Sequence, residues 1–256
     1  MPLLEGRSAI ITGSSSGIGR SCAIRFAQEG ANVVINYYSE KEEPAANEVI
    51  AECEKAGGKA IAVQADVGSE EDAIRLIQSA VDAFGGLNIH VNNAGIENQV
   101  PTMDMPLKDW DRVIRTNLTG AFLCMREAGK RMKDTGGVIC NMSSVHEFIP
   151  WPGFAHYCAT KGGLKLLMQT ASREWAPQQI RVFNVAPGAI ATPINDFVLD
   201  DPEAKHAVEE EIPLGRFGQP EEIASVVAFA CSDEGSYITG TTLVADGGMS
   251  TYPKFI

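Results

Sequence analysis

The apolar positions of this chain fall into two rhythms that alternate along its length. Short, nearly continuous runs rich in Val and Ile occupy Ser8 to Thr12, Asn32 to Asn36, Lys59 to Gln64 and Asn88 to Asn92, then Gly137 to Met142, Ile180 to Val185 and Thr242 to Ala245. Runs without polar alternation suit parallel strands covered on both faces. Between them the period lengthens: EEDAIRLIQSAVDAF places Ile74, Ile77, Val81 and Phe84 on one helical stripe, and GLKLLMQTASREWA behaves likewise. Strand and helix alternating in this way predict an α/β chain with a doubly wound, seven-stranded parallel sheet, helices on both faces, and a single domain over residues 1–256.

One segment breaks the alternation. Residues 189–218 are polar, acidic and irregular, with prolines at 193, 202 and 213. A long excursion after the C-terminal end of a strand lies where open α/β sheets bind ligands, so 189–218 is expected to be a substrate lid. No internal repeat or low-complexity tract interrupts the rest.

Composition narrows the class. A net charge of −12 argues against a nucleic-acid partner, which would require basic surface to meet phosphate. No apolar run reaches the length of a membrane span, and the first residues pass straight into strand-like sequence, so a cytoplasmic protein with no membrane partner is expected. The six cysteines (22, 53, 124, 140, 158 and 231) are scattered singly, without C-x-x-C pairs or clustering with histidine. They read as reduced thiols, and no metal site is expected.

Candidate chemistry begins after the first strand. Gly13-Ser14-Ser15-Ser16-Gly17-Ile18-Gly19 leads into a helical stretch: Gly13 permits a sharp turn, Gly17 lets backbone approach a pyrophosphate, and Gly19 permits close helix packing. A helix N-terminus there supplies N–H groups and a partial positive charge to phosphates. A second constellation lies further along. Tyr157 and Lys161 stand four apart at the start of a predicted helix, hence on one face, and Ser144 precedes them. A fixed ammonium beside a phenol favours phenolate, and such a tyrosine exchanges protons with an alcohol or carbonyl. Alone, the Tyr-x-x-x-Lys spacing also arises on ordinary solvated helix faces.

The G-x-x-x-G-x-G spacing, Asn92-Asn93-Ala94-Gly95, Asn117, the Ser144, Tyr157 and Lys161 trio, and Pro187-Gly188 after the sixth strand stand in one order. From end to end the chain resembles a short-chain dehydrogenase/reductase. That resemblance implies a Rossmann-like fold binding NAD or NADP. It implies that Ser144 hydrogen-bonds the reacting oxygen, Tyr157 is the acid/base, Lys161 holds the nicotinamide ribose and lowers the tyrosine pKa, and Asn117 holds a relay water. Ser15, Ser16 and Ile18 of the glycine loop would contact the cofactor. So would Asp66 with Val67, Asn93 with Ala94 and Gly95, Pro187 with Gly188, and Ile190 with Thr192.

Cofactor choice hinges on the end of the second strand, where an acid would bind the ribose 2′-OH and repel a 2′-phosphate. That position is Tyr37, flanked by Asn36 and Tyr38, with no arginine following and only Lys41 nearby. Use of both NAD and NADP is therefore expected. The stretches NNAGIENQVP, NMSSVHEFIPWPGFAHY, PGAIATPIN and ADGGMSTYP resemble the bacterial glucose 1-dehydrogenase branch of the family. This implies oxidation of β-D-glucose at C1 to gluconolactone, with Glu97, His146 and Asn195 beside Ser144 satisfying sugar hydroxyls. Glu147, Trp151 and Phe154 would shape the pocket. The alternative is a reductase of ketones or 3-oxoacyl thioesters, although the acidic 189–218 segment would repel an acidic carrier protein. A cofactor sensor without chemistry would be expected to lack Tyr157 or Lys161. The resemblance also implies a homotetramer pairing through long helices and the C-terminal segment.

Overall fold

The computed structural model describes residues 2–251; the expected pairing segment at the C-terminus lies partly outside them. The first half runs β1 (Ser8–Ile11), α1 (Gly17–Gln28), β2 (Asn32–Tyr37), α2 (Glu43–Lys55), β3 (Ala60–Gln64), α3 (Glu70–Phe84) and β4 (Ile89–Asn92). Next come α4 (Leu107–Ile114), α5 (Ala121–Met132), β5 (Gly137–Met142), α6 (Ala155–Trp175) and β6 (Ile180–Pro187). The chain then forms α7 (Asp196–Leu199), α8 (Pro202–Glu211), α9 (Pro220–Cys231) and β7 (Thr242–Ala245). All seven strands are parallel, in the order β3-β2-β1-β4-β5-β6-β7. The direction of winding reverses between β1 and β4, and the crevice at that switch point is where such sheets bind ligands.

The continuous apolar runs have a direct cause, because alternate residues of each strand enter different cores. Ala9, Ile11, Val33, Ile35, Cys140 and Phe183 pack with α1, α2 and α9, whereas Ile10, Val34, Ile139 and Val182 pack with α3, α5 and α6. Each face therefore needs its own set of apolar side chains. In α3 the buried stripe is Ala73, Leu76, Ile77 and Ala80, while Ile74 is 43% exposed. The expected stripe is rotated because two alanines, too small to dominate a hydrophobic pattern, let this helix sit close to the sheet. Ser69 starts α3 by accepting a hydrogen bond from Asp72 N, and Gly85 stops it in a left-handed conformation.

Segment 189–218 is more ordered than its composition predicts, since it contains a 3₁₀ turn, α7 and α8. Its two ends are joined: Ala191 N donates to Gly218 O and Gly218 N to Ala189 O, both at 2.9 Å. The excursion leaves and rejoins the body at one point.

A buried polar row crosses the second half of the sheet. Asn92, Asn141 and Asn184 are in register on β4, β5 and β6, and Asn184 is in register with Thr242 on β7. Asn92 Nδ2 donates to Asn141 Oδ1 at 2.9 Å, and Asn141 Nδ2 to Asn184 Oδ1 at 3.0 Å. Asn184 Nδ2 then donates to Glu147 Oε2 at 3.2 Å, and Thr242 Oγ1 donates to Glu147 Oε1 at 2.7 Å. At the other end His90, kept neutral by burial with its pKa pushed down to about 4, donates from Nε2 to Asn92 Oδ1. Asn141→Ala strands a donor on Asn92 and an acceptor on Asn184; each buried unpaired group costs about 1–3 kcal/mol. Urea unfolding is expected to show a loss of about 2 kcal/mol or more, and an unchanged midpoint would deny the row its stabilising role.

Candidate active site

The glycine loop owes its shape to side chains reaching it from neighbouring strands. Asn36 Oδ1 accepts from Gly13 N at 3.0 Å, and Ser14 Oγ accepts from Asn36 N at 3.1 Å. Across the switch point, Thr12 Oγ1 accepts from Asn93 N and Ala94 N, and Asn93 Nδ2 donates to Thr12 O and Gly13 O. This approach leaves no room for a side chain at Gly13 or Gly19. A Cβ at Gly13, where φ is +60°, would lie 2.9 Å from Ala94 Cα, and one at Gly19 would lie 2.5 Å from both Asn93 Nδ2 and Gly13 O. Ser16 precedes α1 in extended conformation without a side-chain cap, so the first-turn N–H groups face the cavity without that competitor. A glycine cradle at such a helix start fits the pyrophosphate of a dinucleotide.

One cavity of about 750 Å³ runs from this loop to the start of α6. Of the residues expected to meet the cofactor, it is lined by Gly13, Ser15, Ser16, Gly17, Ile18, Tyr38, Asp66, Val67, Asn93, Ala94, Gly95, Tyr157, Lys161, Pro187 and Thr192. Ser144 and Asn195 line it as well. Tyr37 does not, because strand alternation turns it inward, where it is 8% exposed in the core, and gives the cavity to Tyr38. Ile190 is likewise buried in the core, while Gly19 packs under the glycine loop and Gly188 against Asp246. Asn117 stands behind the wall, in the π-helical turn Arg115–Gly120 that joins α4 to α5. Its amide is committed to one backbone residue, accepting from Ile96 N at 2.9 Å and donating to Ile96 O at 2.8 Å.

At the α6 end, Lys161 is buried and its Nζ donates to Met142 O, the last residue of β5, at 2.8 Å. The ammonium lies 5.1 Å from the Tyr157 ring centroid. Burial lowers the Lys161 pKa to about 8, opposed by the negative charges of Glu97 and Glu147. Tyr157 titrates well above an ordinary phenol, first because it is buried and then because Glu97 is near, while the Ser144 hydroxyl favours phenolate. Among the protein groups alone, desolvation thus outweighs the expected lowering by Lys161. Glu97 is itself displaced upward to about 7 by burial, with Lys161 opposing, and its Oε1 has no partner among the described residues.

The expected substrate groups sit at different distances from the chemistry. Asn195 lines the cavity, with Nδ2 donating to Ile190 O at 2.8 Å. His146 and Glu97 lie behind the lining; the His146 ring meets the Tyr157 ring edge-on at 6.2 Å and stacks on Trp151 at 4.5 Å. Trp151 in turn stacks on Phe154 at 3.7 Å, so these three rings form one wall behind Tyr157. Glu147 points away from the cavity into the polar row, where it also accepts from Ser143 Oγ and lies 3.9 Å from Lys165 Nζ. Ser144 follows Ser143 directly, and its Oγ accepts from His146 N at 3.2 Å.

The sequence reading did not single out Ser143, Asn184, Thr242 or Glu42 as partners in the site. Their signal was a short polar residue within an apolar strand or one more acid in an acidic turn, and it became specific only through tertiary neighbours. Among the described residues no group of three potential ligands could hold a metal, and no helix is long and apolar enough to cross a membrane.

Comparison with known proteins agrees with this geometry. The family profile described as enoyl-(acyl carrier protein) reductase matches residues 13–250. A 3beta-hydroxysteroid dehydrogenase 1 from Eggerthella lenta is 49% identical over 98% of this chain and 97% of its own. Glucose 1-dehydrogenase 2 of Bacillus subtilis is 43% identical over 98% and 97%. A 3-oxoacyl-acyl-carrier-protein reductase of Staphylococcus aureus is 43% identical over 95% and 98%. Among solved structures, a short-chain type dehydrogenase/reductase from Mycobacterium marinum superposes with a TM-score of 0.91 at 36% identity, covering 98% of this chain and 97% of that one. With this likeness extending over nearly the whole length, around a parallel sheet whose switch-point cavity joins a glycine cradle to Ser144, Tyr157 and Lys161, the chain belongs to the short-chain dehydrogenase/reductase family of oxidoreductases.

Proposed function

We propose that the protein is an NAD(P)-dependent dehydrogenase of a ring alcohol, with β-D-glucose oxidised at C1 to gluconolactone as the substrate reading. The observation that carries the proposal is that Ser144, Tyr157 and Lys161 line the same cavity as the glycine cradle. The dinucleotide, when bound, accepts hydride from the alcohol carbon. Ser144 holds the alcohol oxygen, Tyr157 takes its proton, and Lys161, fixed on the Met142 carbonyl, keeps positive charge beside the phenol and reaches the ribose. Gly13, Ser15, Ser16, Gly17 and Ile18 hold the phosphates; Asp66 and Val67 hold the adenine, and Asn93 to Gly95 with Pro187 and Thr192 flank the remainder. Segment 189–218, hinged where its ends meet, closes over the substrate.

The sugar reading rests on three groups, Asn195 in the cavity wall and Glu97 and His146 behind it beside Tyr157, each with a polar atom to spare. His146 is held neutral by burial, with help from the Lys161 charge; its Nδ1–H donates to Ile149 O and Nε2 is left as an acceptor. Asn195 is anchored through Nδ2 and offers Oδ1, and Glu97 offers Oε1. Acceptors of this kind match hydroxyl donors, and leaving one unpaired in a buried site costs about 1–3 kcal/mol, a source of discrimination. A second reading is a hydroxysteroid alcohol. It draws on the Eggerthella lenta relative and on Ile194 and Phe197, which are 44% and 57% exposed on the 189–218 segment and would present apolar surface to a fused-ring substrate. Exposed Phe122 on α5 and Leu166 on α6 are consistent with self-association through helices, as in a homotetramer.

Steady-state rates on D-glucose, sorbitol, xylose, a 3β-hydroxysteroid and a 3-oxoacyl thioester, each with both dinucleotides, discriminate these readings. Glucose is expected to lead by about tenfold or more in kcat/KM; a lead by the hydroxysteroid would transfer the assignment to the second reading. Tyr157→Phe keeps the ring and removes the exchangeable proton, so kcat is expected to fall by about 10²-fold or more while dinucleotide binding persists. Glu97→Gln removes a negative charge that disfavours phenolate at Tyr157 and favours ammonium at Lys161. Both pKa values then fall, and the pH profile of oxidation is expected to move toward acid on both limbs. A profile that stays in place would show that Glu97 is not coupled to the reacting groups.

A further inference from the structure

We propose that Glu42 selects NAD over NADP, by setting a carboxylate where the adenine ribose 2′ substituent meets the protein. This rests on the dinucleotide reading above. β2 ends in Tyr37 without an acid, and the chain then folds through the 3₁₀ turn Glu40–Glu42 back toward the glycine loop. Glu42, half-buried, lines the cavity together with Ser15, Ser16, Asn36, Tyr38 and Asp66. Its Oε2 accepts from Ser15 Oγ at 3.1 Å and from Tyr38 N at 3.3 Å, and its Oε1 accepts from Ser39 Oγ at 3.3 Å. The loop after β2 is where a ribose-binding acid ordinarily projects, and Glu42 reaches the same corner from five residues beyond Tyr37.

Two consequences follow from the chemistry. Ser15 Oγ, Ser39 Oγ and Tyr38 N–H are the uncharged donors that a 2′-phosphate would otherwise recruit, and all three are turned toward the carboxylate. A carboxylate has about four lone-pair directions, so after three bonds it can still accept from a ribose hydroxyl. A phosphate at that corner would instead face a like charge, with the nearby Arg115 guanidinium already paired to Asp66. Of the cations that line the cavity, Arg115 is paired with Asp66 at 2.6 Å and Arg112 is bonded to Asn98, with Lys108 on the same helix as Arg112; Arg75 is engaged by Asp72 and Gln64 O, Arg20 by Glu52, and Lys41 is exposed and does not line the cavity. The missing acid on which dual cofactor use was expected is thus restored by the fold.

Titration of the full chain with NADH and with NADPH, followed by nicotinamide fluorescence and without any substrate, tests the assignment. NADH is expected to bind about a hundredfold more tightly, and Glu42→Gln, which keeps an acceptor while removing the charge, is expected to strengthen NADPH binding about tenfold or more and move NADH by less than about threefold. Lys41→Gln is expected to leave both affinities within about threefold, and circular dichroism of each variant separates a lost fold from a changed site. Equal affinity of the unsubstituted chain for the two dinucleotides, or a Glu42→Gln effect of the same size on both, would overturn the role of Glu42 and leave the dinucleotide site standing. Loss of NADPH binding in Lys41→Gln would show a phosphate held there and overturn it too. Binding of neither dinucleotide would overturn the dinucleotide reading together with this one.

Discussion

The constraint on which the site depends is the register of β4, β5, β6 and β7, enforced by a continuous row of buried amides that ends on a carboxylate. Asn92, Asn141 and Asn184 have two-sided amides, so each can receive from one neighbour and donate to the next only if the strands are aligned residue for residue. A slip on any strand would strand donors and acceptors away from water. Glu147 closes the row, collecting Asn184, Thr242 and Ser143 on two oxygens. Because Ser143 and Ser144 are adjacent, sheet register and the position of Ser144 in the cavity wall are parts of one arrangement.

The same arrangement tunes charge near the chemistry. Lys161 is buried and would lose its proton readily, but Glu147 and Glu97 both favour its ammonium form. Its hydrogen bond to Met142 O ties it to the end of β5, the strand that carries Asn141. Tyr157 is held strongly toward its neutral form by burial and by Glu97. A phenol in that state is suited to donate a proton to a carbonyl, and in the proposed oxidation the positive charge of an oxidised nicotinamide would favour the phenolate.

On the opposite side of the switch point, specificity is built from loops that strands deliver to one place. Asn36, Thr12 and Asn93 fix the glycine loop through hydrogen bonds to backbone, leaving Tyr38 and the turn after β2 to face the cavity. The two ends of the 189–218 segment meet at the Ile190–Gly218 bridge, and Leu214 N, donating to Gly247 O, fastens the segment to the chain that follows β7.

Much of this was legible in sequence because it depends on local order. Parallel strands read as unbroken Val and Ile runs, the glycine loop is contiguous, and Tyr157 and Lys161 lie one helical turn apart, so their relation follows from helix geometry. The stripe on α3 was misplaced because alanine carries little weight in a hydrophobic pattern, and helices within 189–218 were hidden by their acidic, proline-marked composition. What only the tertiary structure decided is which residues meet across strands: Asn184 with Glu147, Asn117 with Ile96, Ser15 with Glu42, and Tyr38 in place of Tyr37 at the cavity. Local periodicity determines which face of an element a residue takes, whereas hydrogen bonds and desolvation depend on the neighbours that packing brings together from distant parts of the chain.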